Sequence, residues 1–212
     1  FKTFAFALFS LAINVAFAVM NLVSAVLYKS VWYASVAGYY SALIVFRGGV
    51  IIADNKYKKK FADNDAAREK SKWKIYLAGG AFLIVVACAM AGAVTQMTVS
   101  ARPVQSGQVM AIANAAYTFI KMTTAIYNLC RARKFDDPVT QALRNLNFSA
   151  ACMSVVSLTV LMIATFTVNA DEMKSMLSVK ACVGFIACAL VLATATIMIR
   201  KATKELRKTK TE

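Results

Sequence analysis

Six stretches of this chain are apolar almost without interruption: 3–28, 31–53, 75–101, 104–130, 145–170 and 181–199. A helix needs roughly 20 such residues to cross a hydrocarbon core about 30 Å thick, and each stretch meets or approaches that length. Inside lipid every backbone N–H and C=O must find its partner within the protein, so each stretch predicts a helix. A transmembrane barrel would instead use strands of about 10 residues with alternating polarity, and that alternation is absent. The pattern therefore predicts an all-α polytopic membrane protein with six transmembrane helices. Two cations interrupt it: Arg47 in the second stretch and Lys121 in the fourth.

Charge orients the spans. The segment 56–74 carries Lys56, Lys58, Lys59, Lys60, Arg68, Lys70, Lys72 and Lys74; Arg131, Arg133, Lys134 and Arg144 follow the fourth span; Arg200, Lys201, Lys204, Arg207, Lys208 and Lys210 follow the sixth. The other side carries only Lys29, Arg102, Lys174 and Lys180. The positive-inside rule then places both termini in the cytoplasm of a cell membrane. A net charge of +15 on a soluble chain would suggest nucleic acid. Here it lies in short segments between apolar runs, which predicts no nucleic acid partner. Those segments signal topology or attract anionic lipid headgroups, at about 1 kcal/mol per residue near the surface. Trp32 with Tyr33, and Trp73 with Tyr76, fall at span edges, as an interfacial aromatic belt would. Lys2 and Ala16-Phe17-Ala18 could mark a cleavable signal peptide, and residues could precede Phe1. The apolar run continues ten residues past that cleavage point, which favours a span.

The chain also matches itself. At an offset of 100, Asn14 meets Asn114, Phe17 meets Tyr117, Asn21 meets Lys121 and Ala25 meets Ala125. The same offset pairs Lys74, Leu77, Ala81, Ala87, Cys88, Ala89 and Ala93 with identical residues. Spans two and five need an offset of 108, which sets Tyr40-Ser41-Ala42 on Phe148-Ser149-Ala150. The division is into a first three-helix repeat, 1–101, and a second, 102–212, that includes the basic tail. An odd number of spans forces the second copy upside down. Such inverted-topology repeats bind solutes near the midplane at the repeat interface. Ala89 and Ala93 mirror Ala189 and Ala193, a small-xxx-small spacing that predicts close packing of spans three and six, with a homodimer contact as the competing use.

Polar side chains within lipid mark function or inter-helix hydrogen bonds. Span four places Asn114, Tyr117, Lys121, Thr124 and Asn128 on one face; span one repeats the stripe with Asn14, Phe17, Asn21, Ser24 and Tyr28. Span two adds Tyr33, Tyr40 and Arg47, and span five Asn147, Ser154 and Ser157. The expected substrate-binding set is Asn14, Asn21, Tyr40, Arg47, Asn114, Tyr117, Lys121 and Asn128. Arg47 lies near the cytoplasmic end of its span and is expected to snorkel; Lys121 lies deeper. All ten acids fall outside the spans, so a cation facing a cavity would favour an anionic solute. There is no histidine, and Cys88, Cys130, Cys152, Cys182 and Cys188 form no C-x-x-C pair. No metal or cofactor is expected, and the cysteines read as small buried apolar residues. Asn147-Phe-Ser149 fits a glycosylation sequon but lies in a span.

Ser30-Val-Trp32-Tyr33, Tyr39-Tyr40, Arg47, Tyr117-Thr-Phe119, Asn128, Asp137-Pro138 and Ile199-Arg200-Lys201-Ala202 together resemble a group of uncharacterised six-span bacterial membrane proteins. That resemblance implies architecture and no mechanism. In size and span count the chain is also similar to the substrate-binding subunits of energy-coupling-factor transporters. Those use small residues on the first span, here Ala12 and Ala16, to dock energising subunits. The leading expectation is a transporter or channel for a small polar solute. A membrane-embedded binding subunit and a structural or lipid-interacting protein are the alternatives. An intramembrane enzyme is not expected, because no histidine or in-span carboxylate could serve as a base.

Overall fold

A computed structural model describes the backbone of residues 2–61, 65–100, 108–132, 137–166 and 170–211, and the side chains of 12–61, 65–96, 109, 111–127, 137–166 and 176–208. Six helices follow in order: α1 (Lys2–Tyr28), α2 (Val31–Lys60), α3 (Asp65–Ser100), α4 (Gln108–Ala132), α5 (Pro138–Phe166) and α6 (Ala170–Thr211). Among the described residues, α2, α3, α5 and α6 are long and apolar enough to cross a membrane, and Ala12–Tyr28 is a shorter apolar helix. The fold is that of an all-α polytopic membrane protein. Several helices outrun the apolar stretches. α2 continues past Ala53 through its basic end, and α6 extends through most of the basic tail, because Lys and Arg are good helix formers and suit a helix C-terminus.

Local chemistry sets the joints. α1 ends on Lys29 in the left-handed region (φ 45°), and the Ser30 N–H donates back to the Ala25 carbonyl at 3.3 Å. That is a Schellman-type stop, and it folds α2 back along α1. α5 starts on Asp137-Pro138. Asp137 Oδ2 accepts from the Thr140 N–H (3.1 Å) and hydroxyl (2.8 Å), and proline at the first helical position loses no bond.

The α3–α6 pair forms the apolar spine. It runs antiparallel: a Cβ on Gly80 would meet Met198 Cβ at 3.2 Å and Ile199 Cγ1 at 2.8 Å, and one on Gly184 would meet Val94 Cγ1 at 2.6 Å. Only glycine permits that approach. The expected contact through Ala89, Ala93, Ala189 and Ala193 is corrected. Ala89, Ala189 and Ala193 are exposed and Ala93 is half-buried. The buried seam sits round the helix, at Leu83, Ala87, Met90 and Val94 against Gly184, Cys188, Val191 and Ala195. Small residues were the right signal, but alanine abundance disguised which face they line.

Burial recurs along the chain. In α1, Asn14, Phe17, Ala18 and Asn21 are buried; in α4, 100 residues on, so are Asn114, Tyr117, Thr118 and Lys121. In α3, Leu83, Val86, Ala87, Met90 and Val94 are buried; 101 residues on, so are Gly184, Ala187, Cys188, Val191 and Ala195. Val36, Tyr39, Tyr40, Leu43 and Arg47 in α2 find buried counterparts 110 residues on, at Leu146, Ser149, Ala150, Met153 and Ser157 in α5. The offset of 108 expected for that pair does not align the buried positions, and neither does pairing Cys88 with Cys188, since Cys88 is exposed.

The aromatic-belt expectation is corrected too: Trp32, Tyr33, Trp73 and Tyr76 are all buried within the bundle. The cysteines divide, with Cys152 and Cys188 buried and Cys88 and Cys182 exposed, so two of them do not serve as core residues. Cys130 lies outside the described side chains, as do Asn128, Arg102, Arg131, Arg133, Lys134 and Lys174.

Candidate functional site

The polar stripes of α1 and α4 turn inward. Asn14, Asn21, Asn114 and Tyr40 are at most 2% exposed, and Arg47, Tyr117 and Lys121 at most 7%. Seven of the eight expected residues are therefore buried; the eighth, Asn128, lies outside the described side chains. An aromatic trio joins three helices. Phe17 of α1 stacks face to face on Tyr117 of α4, centroids 3.6 Å apart. Tyr40 of α2 meets Phe17 edge-on at 5.0 Å and Tyr117 edge-on at 5.9 Å. The edge-on contacts suit the ring quadrupoles.

Hydrogen bonds tie the helices around this trio. The Tyr117 hydroxyl donates to Asn14 Oδ1 at 3.0 Å, Tyr40 to the Ala150 carbonyl at 3.1 Å, and Asn114 Nδ2 to Ser157 Oγ at 3.0 Å. Asn21 Nδ2 donates back to the Phe17 carbonyl one turn earlier in α1, 2.8 Å. Three further participants were not expected as site residues. Tyr39 reaches the Ser149 carbonyl (3.0 Å) and shares a 2.6 Å bond with its hydroxyl, and Thr118 donates to the Ser154 carbonyl at 3.1 Å. A second tyrosine beside Tyr40 on a membrane helix was the available signal for Tyr39.

Against this satisfied network stand groups with no partner among the described residues: Lys121 Nζ, Arg47 Nε and Nη2, and the side-chain carbonyls of Asn21 and Asn114. Lys121 Nζ lies 5.5 Å from the Tyr117 ring centroid. A cation–π contact there stabilises it by about 0.5–2 kcal/mol. That is less than the several kcal/mol that desolvating an ion costs. Arg47 lies within electrostatic range of Lys121 and of Tyr39, Tyr40 and Tyr117. It does not snorkel: it is 5% exposed, because α2 continues past it as helix and turns its face to the core. Two cations thus share one interior; no acid is among the described buried residues, and Asp54, the one acid of α2, is taken by Lys58.

Among the described residues, grooves flank the core on two sides. One, about 420 Å³, lies between α2 and α3 and is lined by Ser35, Gly38, Tyr39, Ala42, Ala89 and Gln96 among others. The other, about 270 Å³, lies between α4, α5 and α6 and is lined wholly by residues such as Phe148, Cys152, Ile186 and Leu190, with no polar surface. Neither is lined by Arg47 or Lys121. At the basic end a polar cleft holds Asp65, Arg68, Glu69, Lys72 and Asp137, with Lys72 Nζ 2.7 Å from Asp137 Oδ1. Among the described residues no cluster of cysteines and acids could hold a metal. No protein-family model, curated protein or solved structure matches this chain.

Proposed function

We propose that the protein is a transporter or channel for a small anion, built as two inverted three-helix repeats in a cell membrane with both termini in the cytoplasm. One observation carries the reading. Lys121 and Arg47 are each 5% exposed and lack hydrogen-bond partners among the described residues, none of whose acids is buried. A buried charge left unpaired costs several kcal/mol, and membrane proteins keep such groups where a solute or ion passes. An anion between the two cations would supply the missing charge and accept from their free N–H groups. The tyrosine hydroxyls and asparagine amides nearby could orient it.

The repeat reading is supported by the recurring burial patterns of α1 with α4, α2 with α5 and α3 with α6. It is supported too by Phe17 stacking on Tyr117, its own counterpart, as residues beside a two-fold axis do. Orientation follows from the basic segments, which also suit anionic headgroups of the inner leaflet.

Purified protein, scanned for thermal stability in chloride, phosphate, acetate and gluconate, tests the reading, followed by flux of any stabilising anion into proteoliposomes. At least one of the three small anions should raise the melting temperature above that in gluconate, and Lys121→Met should abolish the increment. If wild type and Lys121→Met respond identically to all four salts, the reading is wrong.

A further inference from the structure

We propose that the groove between α2 and α3 is an aqueous vestibule leading from the membrane face opposite the basic segments to the buried cations, closed at its floor by Tyr39. The inference rests on the anion reading above and adds a route to that site.

Four observations lead there. The groove's lining runs from Ala42 and Phe82 to Ser35 and Gln96, near the ends of α2 and α3 remote from the Lys56–Lys74 segment, and those two residues place polar groups along it. Its middle is kept open by Gly38, Ala42 and Ala89, and a Cβ built on Gly38 meets nothing within 4 Å. Its floor leads to the cation: Tyr39 lines the groove and meets Tyr40 edge-on at 5.7 Å, Tyr40 meets Tyr117, and Lys121 sits over Tyr117. The 2.6 Å contact between Tyr39 and Ser149 holds the floor shut.

The fourth observation is the other groove. Offsets of 110 and 101 carry Gly38, Ala42, Val85 and Ala89 onto Phe148, Cys152, Ile186 and Leu190, all of which line it. The two grooves thus occupy equivalent places in the two halves of the chain. Where one has glycine and alanine the other has phenylalanine and leucine, and it is smaller and wholly apolar. Of the two, the first is the one with room and polar side chains for water.

Cysteine labelling in whole cells tests this. In a background with the native cysteines changed to alanine, Ala42→Cys is compared with Val45→Cys, which sits on the same helix but is 74% exposed toward lipid. The probes are membrane-impermeant methanethiosulfonates, one anionic and one cationic, added outside with no solute anion present. Position 42 should react at least tenfold faster than position 45. The anionic reagent should react faster than the cationic one, and Lys121→Met should erase that preference. Equal rates at 42 and 45 would mean lipid fills the groove and would overturn the vestibule. Fast labelling with a charge preference indifferent to Lys121→Met would overturn its connection to the cations. Neither rate depends on anion-induced stabilisation, so failure of the anion reading is seen separately, as an absent thermal response.

If the background does not fold, Gly38→Phe in the native protein serves instead. It copies Phe148 into open space, and it should leave the melting temperature unchanged while cutting flux of the stabilising anion at least fivefold. Unchanged flux would overturn the proposal.

Discussion

The α3–α6 spine and the α1–α4 face solve the same problem in opposite ways. Both bury one side of two long helices within the same bundle. The spine does so with glycine, alanine, valine and methionine in contact close enough that Gly80 and Gly184 have no room for a methyl group. The α1–α4 face buries asparagines, tyrosines and a lysine, satisfies part of their hydrogen-bonding capacity, and leaves two cations and two amide carbonyls without partners among the described residues. Lipid rewards close packing of small residues and penalises orphaned polar groups. The spine is therefore where stability resides. The polar face is where stability has been given up, and function is the reason consistent with that loss.

The sharpest break of this contrast is Lys121→Met. On the spine a loss of side-chain fit should only destabilise. At Lys121, removing an unpaired buried charge should stabilise the protein by about 1–4 kcal/mol, while the anion response falls roughly 10–150-fold with loss of a charge-assisted hydrogen bond of about 1.5–3 kcal/mol. Arg47→Met should behave alike. Thermal denaturation in gluconate reads the first effect and anion titration the second. A Lys121→Met protein that is less stable would make the lysine a structural element and the face an ordinary helix contact.

Next in size is Gly184→Ala. The added methyl lands 2.6 Å from Val94 Cγ1, and valine has no flexible end to swing away. The helices must separate, at about 1–3 kcal/mol. The melting temperature should fall while affinity for the stabilising anion holds. A smaller effect, about 1 kcal/mol, is expected for Tyr117→Phe, which keeps the stack on Phe17 but leaves Asn14 Oδ1 without its donor.

How much of this was legible in the sequence depends on the kind of pattern. Six helices followed from span length alone, because the bilayer leaves a backbone almost no other choice. The inward facing of Asn14, Asn114 and Lys121 followed from helical spacing, because one wrong phase would have set a cation in acyl chains. The face of the spine did not follow. With alanines at 87, 89, 91 and 93, the α3 sequence permits several small-residue stripes, and only the partner helix selects one. The fate of Arg47 was misread for a related reason. Nearness to a span end suggested snorkelling, yet α2 runs on to Lys60, and helix phase outweighed depth. Hydropathy shows where a residue lies along a span; only packing shows which way it faces.

Lys72 supplies the mildest probe of the contrast, because it is a cation that has its acid. It bridges the start of α3 to Asp137 at the head of α5, at the basic end of the molecule. Partial burial alone would raise the Asp137 pKa. The hydrogen bonds from Lys72 and from the Thr140 hydroxyl and N–H, with the Lys72 charge, outweigh it and hold the carboxyl below its ordinary 3.8. A carboxyl lowered in this way adds stability that is complete above the unfolded-chain value, near 3.8, and is lost as pH falls through the lower folded value. Asp137 is about a third exposed, so solvent screening keeps the effect below about 1 kcal/mol. Asp137→Asn should lower the melting temperature slightly at neutral pH and match wild type once the carboxyl is protonated. The anion response should not change at either pH, because Lys72 without its acid is still partly exposed and is solvated by water, whereas Lys121 and Arg47 are each only 5% exposed.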